Sequence, residues 1–342
     1  MIQTKVTRTI ALAGSDPAGK LSYACCSILA ALALCLATAA WSQSTPGPRG
    51  LHRPPGLPRT APSSSPAADS PASSQYRFIV IGVPGSDNAQ AWGINDAGLV
   101  TGWYLDASSN AHGFAWQNGT LQTVDYPGAV YTYLWYVNSQ GVAMGYYGDG
   151  TTEHAVAYSV PNATWTALPD IPGYSENEGY GINDAGVVTG NAFQGSTFVA
   201  WIWHPAQSAY SFFAPPEAAQ NSTYTSAIND KGQVVGQYSD TGGVTHGFLK
   251  QGKTYTTIDA PEPEFWISAN GIDNSGTIVG AWQDDDYAYQ GFVLTSGGLF
   301  TTVDYPGPEV TYLDGINGRG DICGVYVEIP SGARRAFIGL RK

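Results

Sequence analysis

Acidic side chains set directly beside large aromatic rings are the groups in this chain best suited to chemistry. Asp284-Asp285-Asp286-Tyr287 and Glu264-Phe265-Trp266 each put carboxylates next to rings, and Glu176 and Glu178 add a second acidic pair close to Tyr174. Carboxylates beside aromatic faces suit sugar hydroxyls, cationic groups or Ca²⁺. The Asp run lacks the spacing of an EF-hand loop, so the sequence offers Ca²⁺ without selecting it, and it indicates no other cofactor. Two carboxylates at a suitable separation also serve glycosidic bond cleavage. A carbohydrate-active hydrolase or lyase is therefore the alternative to a binding site.

Other chemistries lack their residues. The five histidines include no His-x-x-x-His pair, and no Cys-x-x-Cys, P-loop or Gly-x-Ser-x-Gly element occurs. His112, His154 and His246 recur at one place in a repeated pattern, which separates them in space and suggests a hydrogen bond internal to each unit. From position 76 onward, 25 acidic side chains face nine basic ones, a balance of −16. Nucleic acid and anionic membrane surfaces need a basic footprint that this region does not have. An arginine clamp for a carboxylate ligand is equally unsupported.

The elements that position these residues come from a unit repeated six times. Asn95, Asn138, Asn183, Asn229, Asp273 and Asn317 lie 43, 45, 46, 44 and 44 residues apart. Each has a Gly three residues later and another at seven, from Gly98 and Gly102 in the first unit to Gly320 and Gly324 in the last. Such a period signals stacked supersecondary units. After each anchor come a short run holding the second Gly, a run such as His112-Gly113-Phe114, and a Thr-rich run such as Leu121-Gln122-Thr123-Val124. With the stretch leading into the next anchor, this makes four short β-strands per unit. The Asn-Asp-Ala-Gly segments between the first two strands are turn chemistry.

These features predict an all-β six-bladed β-propeller, because repeated four-stranded sheets of this length close into rings. The segment from about 76 to 83, Tyr76-Arg77-Phe78-Ile79-Val80 onward, matches the Thr-rich closing strand yet precedes the first anchor. The sixth unit lacks that strand, so pairing the two ends closes the ring and removes exposed sheet edges. An open β-repeat array is the alternative. On the face away from the tight turns, the variable connections carry 16 of the 25 acids, together with Tyr131, Tyr133, Trp135, Tyr174, Tyr224 and Trp266. Loops freed from scaffold duty are where binding residues usually sit. The expected ligand site is Glu264, Trp266, Asp284, Asp285, Asp286 and Tyr287, with Glu176 and Glu178.

On the Gly-Ile-Asn element (Gly93-Ile94-Asn95, Gly181-Ile182-Asn183, Gly315-Ile316-Asn317) and the His-Gly-Phe element (residues 112–114 and 246–248), the chain resembles a bacterial extracellular-repeat family named for a His-Ala-Phe tripeptide, the HAF-type repeats. The likeness spans 76–342, with Thr197, Gln290 and Arg335 standing near the His position in three units. It implies an exported repeat protein whose family has no established activity, and it carries over no catalytic residues. Some relatives end in a hydrophobic sorting tail; none precedes Lys342 here, which suggests release or periplasmic residence.

The N-terminal region fits export. Lys5, Arg8 and Lys20 precede an apolar run from about 21 to 40, followed by Ala40-Trp41-Ser42, the order of a secretory signal peptide over 1–42. Residues 43–75 are Pro-, Ser- and Ala-rich and read as a disordered linker. Secretion or periplasmic residence is expected, with an uncleaved membrane anchor as the alternative. Three of four cysteines lie in the signal segment, leaving Cys323 without a disulfide partner and suited to burial. The sequence thus points to a monomeric, non-enzymatic binding scaffold for a glycan or another envelope component. A structural envelope protein without a small ligand is a further alternative.

Overall fold

The computed structural model describes residues 72–261, 266–283, 288–307 and 310–342. The signal segment and most of the linker lie outside these residues, as do Glu264, Asp284, Asp285, Asp286 and Tyr287. The described chain is all-β; its only helical element is a 3₁₀ turn at Ser73–Gln75. Among the described residues no helix is long and apolar enough to cross a membrane.

Strands pair antiparallel in sequence order within each unit. In the first unit these are strands a to d, at Ala89–Ile94, Val100–Leu105, Ala111–Gln117 and Thr120–Val124. The second and third units share one eight-stranded sheet, because Glu153 and Glu176 form a parallel bridge between them. The last unit has three strands of its own, Val310–Ile316, Ile322–Val327 and Arg334–Arg341, and takes Tyr76–Val80 as its fourth. Tyr76 pairs with Arg341 and Val80 with Phe337. The packed domain begins slightly before position 76, since Ala72 and Ser73 are both buried.

Burial falls from the first two strands of a unit to the fourth. Strand Ile278–Gln283 is buried throughout, whereas Thr120–Val124 is largely exposed. The Gly seven residues after each anchor explains part of this density. A Cβ on Gly102, Gly190, Gly236 or Gly280 would collide with a carbonyl oxygen of strand a and with the aromatic ring of strand c, namely Phe114, Trp201, Phe248 and Phe292. Those four rings have no exposure, and each contributes about 1.5–3 kcal/mol of apolar burial. The Phe of the His-Gly-Phe element is thus a core residue that needs the Gly to reach its place.

The anchors act twice. In every unit the anchor oxygen Oδ1 accepts backbone N–H bonds from the residues two and four later, as Asn95 does from Ala97 and Leu99 at 3.0 and 3.1 Å. The chain can turn that tightly because the Gly at three has positive φ in all six units, between 71° and 89°. The Asn amide then reaches out of its unit. Asn95, Asn138, Asn183 and Asn229 donate to the backbone carbonyls of Asn138, Asn183, Asn229 and Asp273, at 2.9–3.2 Å. Asn317 donates to Asn95 at 3.0 Å, linking the last unit to the first. Asp273 has no amide proton, so it holds its own turn without donating onward.

A second series runs one residue later. The backbone N–H groups of Ser139, Asp184, Asp230 and Gly318 donate to the side-chain oxygens of Asp184, Asp230, Asn274 and Asp96, at 2.7–2.9 Å. The repeated Asp residues of the turns are therefore ties between neighbouring units.

Candidate functional site

Each strand a carries a register shift just before its anchor, as between Ala91 and Gly93 or Gly179 and Gly181. The residue three positions before the anchor is bulged out of the ladder. These residues are Trp92, Trp135, Tyr180, Ser226, Asn270 and Asp314, and they meet across units. Trp92 and Trp135 have ring centroids 4.0 Å apart, Trp135 and Tyr180 4.8 Å, and the Asn270 amide donates to Asp314 Oδ1 at 3.1 Å. At the position after the bulge five units carry Gly or Ala, but the second carries Tyr136. Its hydroxyl donates to the backbone carbonyls of Asn270 and Asp314, in the fifth and sixth units. Tyr136 therefore ties the second unit to the fifth and sixth.

Burial drives the Asp314 carboxyl up to about 8; the positive charge of Arg334 and the Asn270 hydrogen bond oppose this without reversing it. At neutral pH this acid is largely protonated.

Nearer the start of the strands, three carboxylates converge. Glu176 and Glu178 lie on strand a of the third unit, Glu176–Ile182, and Glu153 begins strand c of the second, Glu153–Ser159. One carboxylate oxygen from each lies within 4.8 Å of the other two. Glu178 has no exposure and Glu153 only 4 %, whereas Glu176 is half-buried. Tyr131 donates to Glu153 Oε1 at 2.6 Å, and Tyr180 donates to Glu178 Oε2. Burial raises the pKa of Glu178 far above the carboxylate range, and the charge of Glu153 adds to the effect. Burial and these same acids raise the phenols of Tyr131, Tyr146 and Tyr180.

This arrangement corrects one expectation. Glu176, Glu178 and Asp314, with Tyr131, Tyr133, Trp135 and Tyr224, lie on strands and not in loops. Polar residues on these strands resemble loop composition, and the bulge breaks the alternation that would have marked the strand. Glu153 lies outside the expected site; its pairing with Glu176 depends on contact between two units, which no local pattern encodes.

Trp266 stands in a different unit from the three glutamates. Its ring lies 5.4 Å from Tyr289 and 6.5 Å from Tyr312, both edge-on, and Tyr289 stacks on Tyr312 at 5.4 Å. All three rings are partly exposed. They form an aromatic platform on the strand ends away from the tight turns.

The recurring histidines are held as expected. Nδ1 of His112, His154 and His246 contacts Asp125, Asp170 and Asp259 at 2.9, 2.9 and 2.6 Å. Nε2 faces Asp106, Asp149 and Asp240 at 3.5–3.7 Å, and each ring packs on Tyr104, Tyr147 or Tyr238. Burial opposes charge on His112, but the two aspartates outweigh it and raise its pKa. Backbone and side-chain hydrogen bonds within the loop hold Asp106 down at about 2. These side chains tie loop to strand within one unit.

No family model and no curated protein matches the chain. Solved structures do. A lectin, SapL1, determined in complex with alpha methyl fucoside, is 11 % identical with a TM-score of 0.50, over 75 % of this chain and 96 % of that one. TolB from Acinetobacter baumannii is 8 % identical with a TM-score of 0.50, over 76 % of this chain and 66 % of its own. A putative gluconolactonase is 16 % identical with a TM-score of 0.48, covering 80 % and 97 %. The lectin and TolB are β-propeller proteins, and at such identities the likeness is one of fold alone.

Proposed function

We propose that this chain is an exported, closed six-bladed β-propeller of the HAF-repeat type that binds a glycan or another envelope component without transforming it. Two ties support the closed ring: the pairing of Tyr76–Val80 with Arg334–Arg341, and the Asn317-to-Asn95 hydrogen bond. The observation that carries the binding reading is where the units differ. Positions that recur are consumed by turns and inter-unit hydrogen bonds, while the strand ends opposite carry unlike residues: Trp266, Tyr289 and Tyr312 in one sector, Glu176 and Glu178 in another. A partly exposed aromatic platform stacks on the apolar face of a sugar ring, leaving the hydroxyls to nearby carboxylates. The lectin neighbour is consistent with this use of the fold.

The hydrolase alternative draws on the three converging glutamates. Their burial argues against it, because Glu178 and Glu153 are shielded from a saccharide-sized substrate. A glycan array probed with the purified protein tests the proposal. Binding to a defined set of glycans, lost in Trp266→Ala, is the expected result; no binding to any glycan, or binding indifferent to Trp266→Ala, overturns it. Release of reducing sugar from a bound glycan would instead establish the hydrolase reading.

A further inference from the structure

Three carboxylates in a nearly closed space have three physical outcomes: protonation, pairing with a basic side chain, or a bound cation. Glu153 and Glu178 form no ion pair with Lys or Arg among the described residues. Beyond the contact of the two carboxyls with each other, each keeps one buried oxygen, Glu153 Oε2 and Glu178 Oε1, that no other donor reaches. A separate group points the same way. The Tyr146 hydroxyl has no exposure and no hydrogen-bond partner, and strand pairing sets Tyr146 opposite Ala155 and Glu153 opposite Gly148, so both side chains stand on one face of the sheet. A neutral phenol oxygen is thus buried, unpartnered, on the sheet face that carries Glu153.

We infer that Glu153, Glu176 and Glu178 form a divalent-cation site of the calcium class at the junction of the second and third units. The donor set is oxygen only, which selects hard cations over the thiolate- and imidazole-seeking metals. Ligands sharing one Ca²⁺ at about 2.3–2.6 Å lie at most about 5 Å apart. The 4.8 Å limit on the three carboxylate oxygens therefore admits a common ion without backbone movement. The half-buried Glu176 marks the path of entry, and Tyr146 supplies a partner for an ion-bound water.

The ion also has a structural role. Glu153 and Glu176 are the residues whose parallel bridge merges two sheets into one, so a cation held between them and Glu178 clamps two units together. This inference goes beyond the glycan proposal and does not depend on it, since the probe is the metal alone.

The test is titration of the chelator-treated full chain with Tb³⁺, reading luminescence sensitised by the adjacent tyrosines, followed by displacement with Ca²⁺ and with Mg²⁺. One saturable site, displaced by Ca²⁺ at far lower concentration than by Mg²⁺, and weakened at least tenfold in Glu178→Gln and in Glu153→Gln, is expected. Ca²⁺ should also raise the Tm of the natural chain and leave that of Glu178→Gln unmoved. The amide in Glu178→Gln matches the neutral acid in shape, so near-UV circular dichroism should show it folded; if it is not, Glu176→Gln read by the same titration decides. Absence of saturable binding at millimolar ion, or binding undiminished in the variants, overturns the inference.

Discussion

Replacing Asp314 with Asn should remove a large part of the domain's pH sensitivity. The carboxyl is buried and its pKa is pushed up to about 8 in the folded chain, against an ordinary aspartate value of 3.8. Between those two values the folded state holds a proton that the unfolded state has released. Stability therefore falls as pH rises, by about 1.4 kcal/mol per pH unit from this group alone. From pH 5 to pH 8 the loss is about 4 kcal/mol. Asparagine has the shape of the neutral acid and can still accept the Asn270 amide hydrogen bond, which spans 3.1 Å in the natural chain. The assay is urea unfolding of both proteins at pH 5, 6, 7 and 8, with stability differences compared at each pH. Relative to the natural chain, Asp314→Asn should gain about 4 kcal/mol across that range. Parallel profiles would refute the reasoning, and a variant increasingly destabilised toward pH 8 would show Asp314 to be ionised against Arg334.

The inter-unit ties give further expectations. Asn183→Ala removes an amide donor and a doubly used acceptor, leaving buried backbone groups unpaired, and should cost on the order of 2–4 kcal/mol by chemical denaturation. Asp273→Asn supplies the amide that the fifth unit lacks, and should raise stability by about 1 kcal/mol if it bonds the Asn317 carbonyl as its counterparts do. Gly190→Ala would force a Cβ into the Glu178 carbonyl and the Trp201 ring, a loss of about 3 kcal/mol in the same assay. Cys323 has no exposure and burial raises its thiol pKa well above the usual range, so a thiol reagent should label it at the rate of global unfolding.

Much of the scaffold was legible because its causes are local. The Asn anchor, the Gly three residues on and the turn between them satisfy one another within five residues, so the pattern survives in sequence and repeats wherever the turn does. The Gly at seven was legible as a position, but its reason was not. It leaves room for a carbonyl from one neighbouring strand and a ring from the other, and both lie a dozen or so residues away. The spare N-terminal strand was legible from composition, and its partner proved to be the last strand.

The candidate site was less legible. Glu176 and Glu178 drew notice as acids, yet Glu153 joins them only because the second and third units touch, and Tyr136 reaches residues 134 and 178 positions away. Such contacts follow from the packing of one unit against another, which leaves no local periodicity. The bulge in each inner strand hid these segments further by interrupting the two-residue alternation that identifies a half-buried strand.

The central claim is that recurring residues build the domain and pattern-breaking residues bind. The dissociation constant of the strongest array glycan, measured by titration calorimetry for Asn183→Ala and Trp266→Ala beside the natural chain, tests it directly. Asn183→Ala, once folded, should bind with unchanged affinity despite its lower Tm, and Trp266→Ala should bind at least tenfold more weakly at an unchanged Tm. Affinity lost in Asn183→Ala and kept in Trp266→Ala would contradict the claim.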